Sequence, residues 1–195
     1  MEPKILYRSA VEHVPTESYT LPLSKADIIK PGKDLTVISY GQPLYTCSAA
    51  ITAAEKAFNG VEIELIDLRT LYPWDRTTIL DSIRKTGRAV VVHESMMNAG
   101  IGAEVAATIQ EGAFLRLEAP VNRVTGWDTH CGLVYERFNV PDVASKSSVY
   151  VLSIAIKGDK IANDISSLRS IRRYQKDASL LMKRVKQWMR VTSNN

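Results

Sequence analysis

The sequence predicts an α/β fold: a three-layer sandwich built on a mainly parallel sheet, plus an appended basic amphipathic helix. Three observations predict it. Short apolar, β-branched runs alternate with stretches whose apolar residues recur at helical spacing. The strand-plus-helix unit occurs three times in succession, which implies parallel strands covered by helices. Finally, charge changes sign along the chain: residues 1–144 hold 14 Lys and Arg against 18 Asp and Glu, whereas residues 145–195 hold 11 against 3.

Residues 1–33 carry Pro3, Pro15, Pro22 and Pro31 without sustained periodicity, and are expected to be an extended linker leading out of a preceding N-terminal domain. Regular structure is expected to begin near Asp34, opening an α/β domain over residues 34–144. Residues 34–40 form a buried strand ending at Gly41. Residues 43–58 place Leu44, Cys47, Ala50, Ile51, Ala54 and Phe58 on one helical face, with Pro43 in the first turn and Asn59-Gly60 as the stop. A second strand covers residues 61–68, and Asp75 caps a second helix running through Ile79, Leu80 and Ile83 to Gly87. Residues 88–93 are a third strand, and Gly100 opens a third helix carrying Val105, Ala106, Ile109 and Phe114. A fourth strand is placed within residues 120–127.

Composition excludes several classes. No apolar run approaches the roughly 18 residues of a membrane span, and Met1 is not followed by a basic segment and an apolar run, so no targeting sequence is read in this chain. Two cysteines, Cys47 and Cys131, make neither a CxxC nor a disulfide framework, and are expected to be free thiols. With only three scattered histidines beside them, no metal site is predicted.

Candidate sites compete with plainer readings. Gly100 and Gly102 between a strand and a helix invite a phosphate-binding reading, but Val105 stands where GxGxxG needs its third glycine, so a packing turn is preferred. His93 and Glu94 lie at the carboxyl end of a strand, where α/β sheets place ligands, yet no nucleophile or orienting group is evident beside them. A structural network or interface role is therefore expected. His130 and Cys131 are adjacent in an extended segment and point apart. Trp74 behind Pro73 reads as an aromatic anchor, and Asp128, Arg137 and Asp142 as loop charges that are solvated or meet a partner. No catalytic and no cofactor-binding residue is assigned.

Eight blocks carry a resemblance: Glu2-Pro-Lys-Ile-Leu-Tyr-Arg8, Val14-Pro15, Leu23-Ser-Lys-Ala26, Ile66-Asp-Leu-Arg-Thr70, Pro73-Trp-Asp75, Val92-His-Glu94, Gly102-Ala-Glu104 and Arg123-Val-Thr-Gly126. In that order they resemble the C-terminal, transketolase-type half of the beta subunit of branched-chain 2-oxoacid dehydrogenases, over residues 2 to about 144. The resemblance implies a mitochondrial-matrix heterotetramer of alpha and beta subunits. It also implies thiamine diphosphate and Mg²⁺, bound mainly by the alpha subunit and by a domain outside this chain, and acyl transfer to a lipoyl acyltransferase core. In such a family the matching half is a subunit-assembly scaffold, so this chain alone is expected to be inactive. A non-catalytic module that binds the alpha subunit or the acyltransferase core is the alternative.

Beyond Val143 the sequence leaves the family pattern. Residues 149–156 suit a short buried strand. Ser167 then caps a helix near 167–189 with an apolar stripe of Leu168, Ile171, Tyr174, Ala178, Leu181, Val185 and Trp188. Its basic face fits an anionic membrane surface or an acidic partner, and no nucleic-acid partner is expected. The abrupt change also fits a translated intron or a shifted reading frame.

Overall fold

Residues 4–8, 11 and 13–130 are described by the structure, a computed structural model. Within them a five-stranded sheet has the order β1-β3-β2-β4-β5. The strands are β1 (Asp27–Lys30), β2 (Leu35–Ser39), β3 (Ile63–Asp67), β4 (Ala89–Met96) and β5 (Asn122–Gly126), and the helices are α1 (Pro43–Ala57), α2 (Arg76–Thr86) and α3 (Ile101–Ala113). The three strand-plus-helix units and the last strand stand where the periodicity predicts them.

Burial follows from position in the sheet. β2 lies between β3 and β4, parallel to both, and all five of its residues are buried. A central parallel strand is covered on both faces, so it reads as an unbroken apolar run rather than an alternating one. The side-chain period of two then sorts the core into two layers. Leu35, Val37, Leu65, Val90 and Val92 pack with Cys47, Ala50, Ile51 and Ala54 of α1. Ile38, Ile66 and Val91 pack with Ile79 and Ile83 of α2 and Val105 and Ile109 of α3.

Local signals set the helix ends. Asp75 accepts a hydrogen bond from the Thr78 amide at 3.1 Å and from its hydroxyl at 2.7 Å, satisfying an amide that the first turn leaves bare. Gly87 ends α2 in the left-handed region at φ 69°, which a residue with a Cβ rarely adopts. Trp74 is buried, with the Arg76 guanidinium 5.5 Å above its ring, so it anchors the loop before α2.

The starting point of regular structure is corrected. Residues 27–30, inside the segment expected to be a linker, form β1, which adds antiparallel to β3 at the sheet edge. The strand escapes sequence reading because it is only four residues long and its Ile28 and Ile29 are about half exposed, as an edge position allows. Polar contacts hold it: Arg69 to Asp27 at 2.6 Å, Lys30 to Glu55, and the Ala26 amide to the Asp75 carboxylate at 3.2 Å.

At the amino end of the sheet, α2 covers a buried polar cluster. Glu64, 1% exposed, accepts hydrogen bonds from Ser82 Oγ at 2.5 Å and from the Gly32 amide at 3.3 Å, and pairs with Lys85. Thr36 joins the hydroxyls of Ser82 and Thr86 at 2.6 and 2.7 Å. A carboxylate at this depth survives because each contact replaces a lost water. The strand and helix expected in residues 145–195 lie outside the described residues.

Candidate functional site

The chain order creates one crevice position. β2 leads through α1 to β3 on one side, and β3 leads through α2 to β4 on the other side of β2, so the connections diverge at the carboxyl ends of β2 and β4. Ligands of open α/β sheets bind at such switch points. Here the lip is formed by Ser39 at the end of β2 and Tyr40 after it, and by His93, Glu94 and Ser95 in the last half of β4.

His93 is completely buried, whereas Glu94, pointing to the other face, is exposed. The imidazole Nδ1 lies 2.8 Å from Ser95 Oγ and 3.1 Å from the Ser95 carbonyl oxygen. Its Nε2 is buried and has no hydrogen-bond partner. That nitrogen faces the first turn of α3 so closely that a Cβ on Gly102 would stand 2.3 Å from it, and a Cβ on Gly100 would stand 2.8 Å from Cε1. The two glycines therefore serve the imidazole: they let the helix start close against the ring.

Electrostatics keep the ring neutral. Burial lowers the His93 pKa below its ordinary value, and the positive charge of Arg123 lowers it further, against a raising effect of the Ser95 backbone. The partial positive charge of a helix N-terminus acts in the same sense. On the opposite lip, burial raises the Tyr40 pKa, the Ser95 side-chain hydrogen bond opposes this, and the Glu94 charge adds to it. Behind them Ser39 Oγ donates to the Val92 carbonyl at 3.0 Å, and burial pushes the Cys47 thiol up to about 11, which leaves it a poor nucleophile.

The predicted site residues separate. His93 bonds Ser95, whereas Asp128 accepts from the Asn98 amide at 3.0 Å and from its side chain at 2.8 Å. Arg123 Nη1 donates to the Met97 carbonyl at 3.0 Å from the same side. Arg137 and Asp142 lie outside the described residues, as does Cys131. Sequence reasoning missed Tyr40, Ser95 and Arg123. A serine two residues after His93, on the same face of a strand, was the available signal for one of them.

Chemically, the lip is closed. General acid–base work needs a ring nitrogen within reach of a substrate proton, and the free nitrogen of His93 is sealed against glycine. The residues present do not fit a diphosphate and its metal either. The turn that would cradle phosphate is filled by the imidazole, and no group of three His, Cys, Asp or Glu side chains is placed to hold a metal among the described residues. The space beneath α1, lined by Val37, Cys47, Val90 and Val124 among others, is about 10 Å³, room for about one water.

Fold and motif together define the class, and comparison with known proteins agrees. Residues 24–144 match the family "Transketolase, C-terminal domain", and the chain belongs to that family. Relatives that it matches include beta subunits of 2-oxoisovalerate and pyruvate dehydrogenases. The chain is 58% identical over 183 residues to the mitochondrial 2-oxoisovalerate dehydrogenase subunit beta of Chaetomium thermophilum, and 51% identical over 141 residues to that of Dictyostelium discoideum. These matches cover 93% and 72% of the chain and 38% of each relative, so the chain spans well under half of their length. A pyruvate dehydrogenase E1 component subunit beta of Staphylococcus aureus is 48% identical over 124 residues, 64% of this chain and 38% of that protein. Among solved structures, a chain titled "Split gene transketolase, inactive beta4 tetramer" shares the fold at TM-score 0.61 and 24% identity, over 76% of this chain and 47% of that one. The similarity to the Chaetomium protein is longer than 144 residues, so it runs into the tail and corrects the expectation that resemblance stops near residue 144.

Proposed function

We propose that this chain is the C-terminal part of the beta subunit of a branched-chain 2-oxoacid dehydrogenase, acting as a block for subunit assembly. The observation that carries the reading is its 58% identity, over 93% of its length, to a protein named 2-oxoisovalerate dehydrogenase subunit beta. On this reading its partners are an alpha subunit, a second beta subunit and a lipoyl acyltransferase core, in the mitochondrial matrix. Thiamine diphosphate, which supplies the carbanion chemistry of decarboxylation when bound, is held with Mg²⁺ by residues outside this chain. The sealed lip around His93 supports a supporting rather than a reacting role.

Co-purification with an alpha subunit and the remaining part of a beta subunit tests the reading, followed by a decarboxylation assay on a branched 2-oxoacid with the coenzyme and Mg²⁺ added. Assembly with activity restored is the expected result. Turnover by this chain alone would overturn it, and assembly without activity would favour a non-catalytic module that engages the same partners.

A further inference from the structure

We propose that His93 is a proton-operated latch on the end of β4 and the loop that leads to α3: neutral, it holds residues 94–100 shut against the first turn of α3, and on taking a second ring proton it releases them. The Ser95 carbonyl oxygen can only accept, so its contact with Nδ1 places the single proton of the neutral ring there. With Nδ1 shared between the Ser95 hydroxyl and carbonyl, the neutral ring leaves Nε2 as a bare lone pair facing Gly102. A proton there would be a buried donor with no acceptor, pressed on a helix N-terminus that is itself positive.

Among the described residues the groups facing the ring offer Nε2 no acceptor. From β5, Arg123 disfavours it; from β2, Tyr40 reaches the site only through Ser95; on β4 itself, Glu94 points to the opposite face. From α3, Glu104 is engaged by Arg76 of α2 at 3.1 Å. Among the described residues no carboxylate hydrogen-bonds the imidazole. Other ties hold the segment as well: Arg123 to Met97 and Asp128 to Asn98, both exposed, and the pairing of Met96 with Gly126 of β5. Because the closed-state pKa lies below 6.5, the open state binds the proton first, and the latch weakens as pH falls from about 6.5 towards the closed-state value. Opening alters the lip of the switch-point crevice, where Met96 and Met97 are exposed.

Amide hydrogen exchange on the full chain between pH 8 and pH 5.5, corrected for the intrinsic rate, tests this. The expected result is a loss of protection confined to residues 94–100 that approaches but does not exceed about tenfold, the limit set by an open-state ring of pKa 6.5 at one unit below it. His93→Asn, which keeps a polar atom near Ser95 but does not titrate, is expected to abolish the response. If that variant does not fold, the His93 ring resonances of the unaltered chain decide: a midpoint matching loop opening supports the latch, and no titration in this range overturns it. Unchanged protection, loss spread through β2 and β3, or a pH response retained in His93→Asn would each overturn it as well.

Discussion

Gly102 shows how one absent side chain sets the entry of a helix. A methyl on it would meet the His93 ring at 2.3 Å from Nε2 and 2.6 Å from Cδ2. Gly102→Ala is expected to lower stability by about 1–3 kcal/mol, because the clash is with a ring that is itself fixed by Ser95. Urea unfolding of the variant checks this, and an unchanged midpoint would mean the ring can yield. Glu64 poses the opposite problem, a buried charge that needs its partners. Glu64→Ala leaves Ser82 Oγ and the Gly32 amide without their acceptor and is expected to cost about 3 kcal/mol by the same measurement.

Helix α2 carries more than its own stability, because its cap is shared. Asp75 binds the Thr78 amide and hydroxyl and also the Ala26 amide ahead of β1. Burial alone would raise its pKa, but the Thr78 and Ala26 hydrogen bonds and the Lys25 charge bring it below the ordinary 3.8. A lowered carboxylate contributes stability that is present above the unfolded value and lost as pH falls through the folded one. Asp75→Ala is thus expected to cost about 1–2 kcal/mol near pH 7, with the difference from the unaltered chain shrinking below about pH 4. Chemical denaturation at several pH values reads it directly. This element was legible in advance because Asp75 and Gly87 are local signals. β1 was not, because four half-buried residues lack a period and an edge strand is defined by its neighbour. The polar cluster was hidden for a similar reason: alternation in the sequence gives Glu62, just ahead of β3, and Glu64 within it one face, but only α2 decides which of them is covered. Of the candidate site, His93 was legible from its place at a strand end. Its closure was not, since Gly102 and Arg123 reach it through the fold.

For the whole molecule, the governing fact is that its sheet is flanked unequally. β5 closes one side of the described residues, and on the other side β3 is covered only by β1. Ahead of it Val11, Val14, Tyr19, Leu21 and Leu23 are exposed. Replacing Val14, Tyr19 and Leu21 together by serine is therefore expected to change the unfolding free energy read from urea denaturation by less than about 1 kcal/mol, as surface changes usually do.

The shared grip of Asp75 also dictates where this chain can be cut. A piece starting at Asp34 would strip β1 from β3 and bare a row of amides and carbonyls along a well-ordered parallel strand, a template for pairing with other copies. Started at Ser24 it would keep that row covered, so light scattering should show fibrous or large species for the first piece and a single small species for the second.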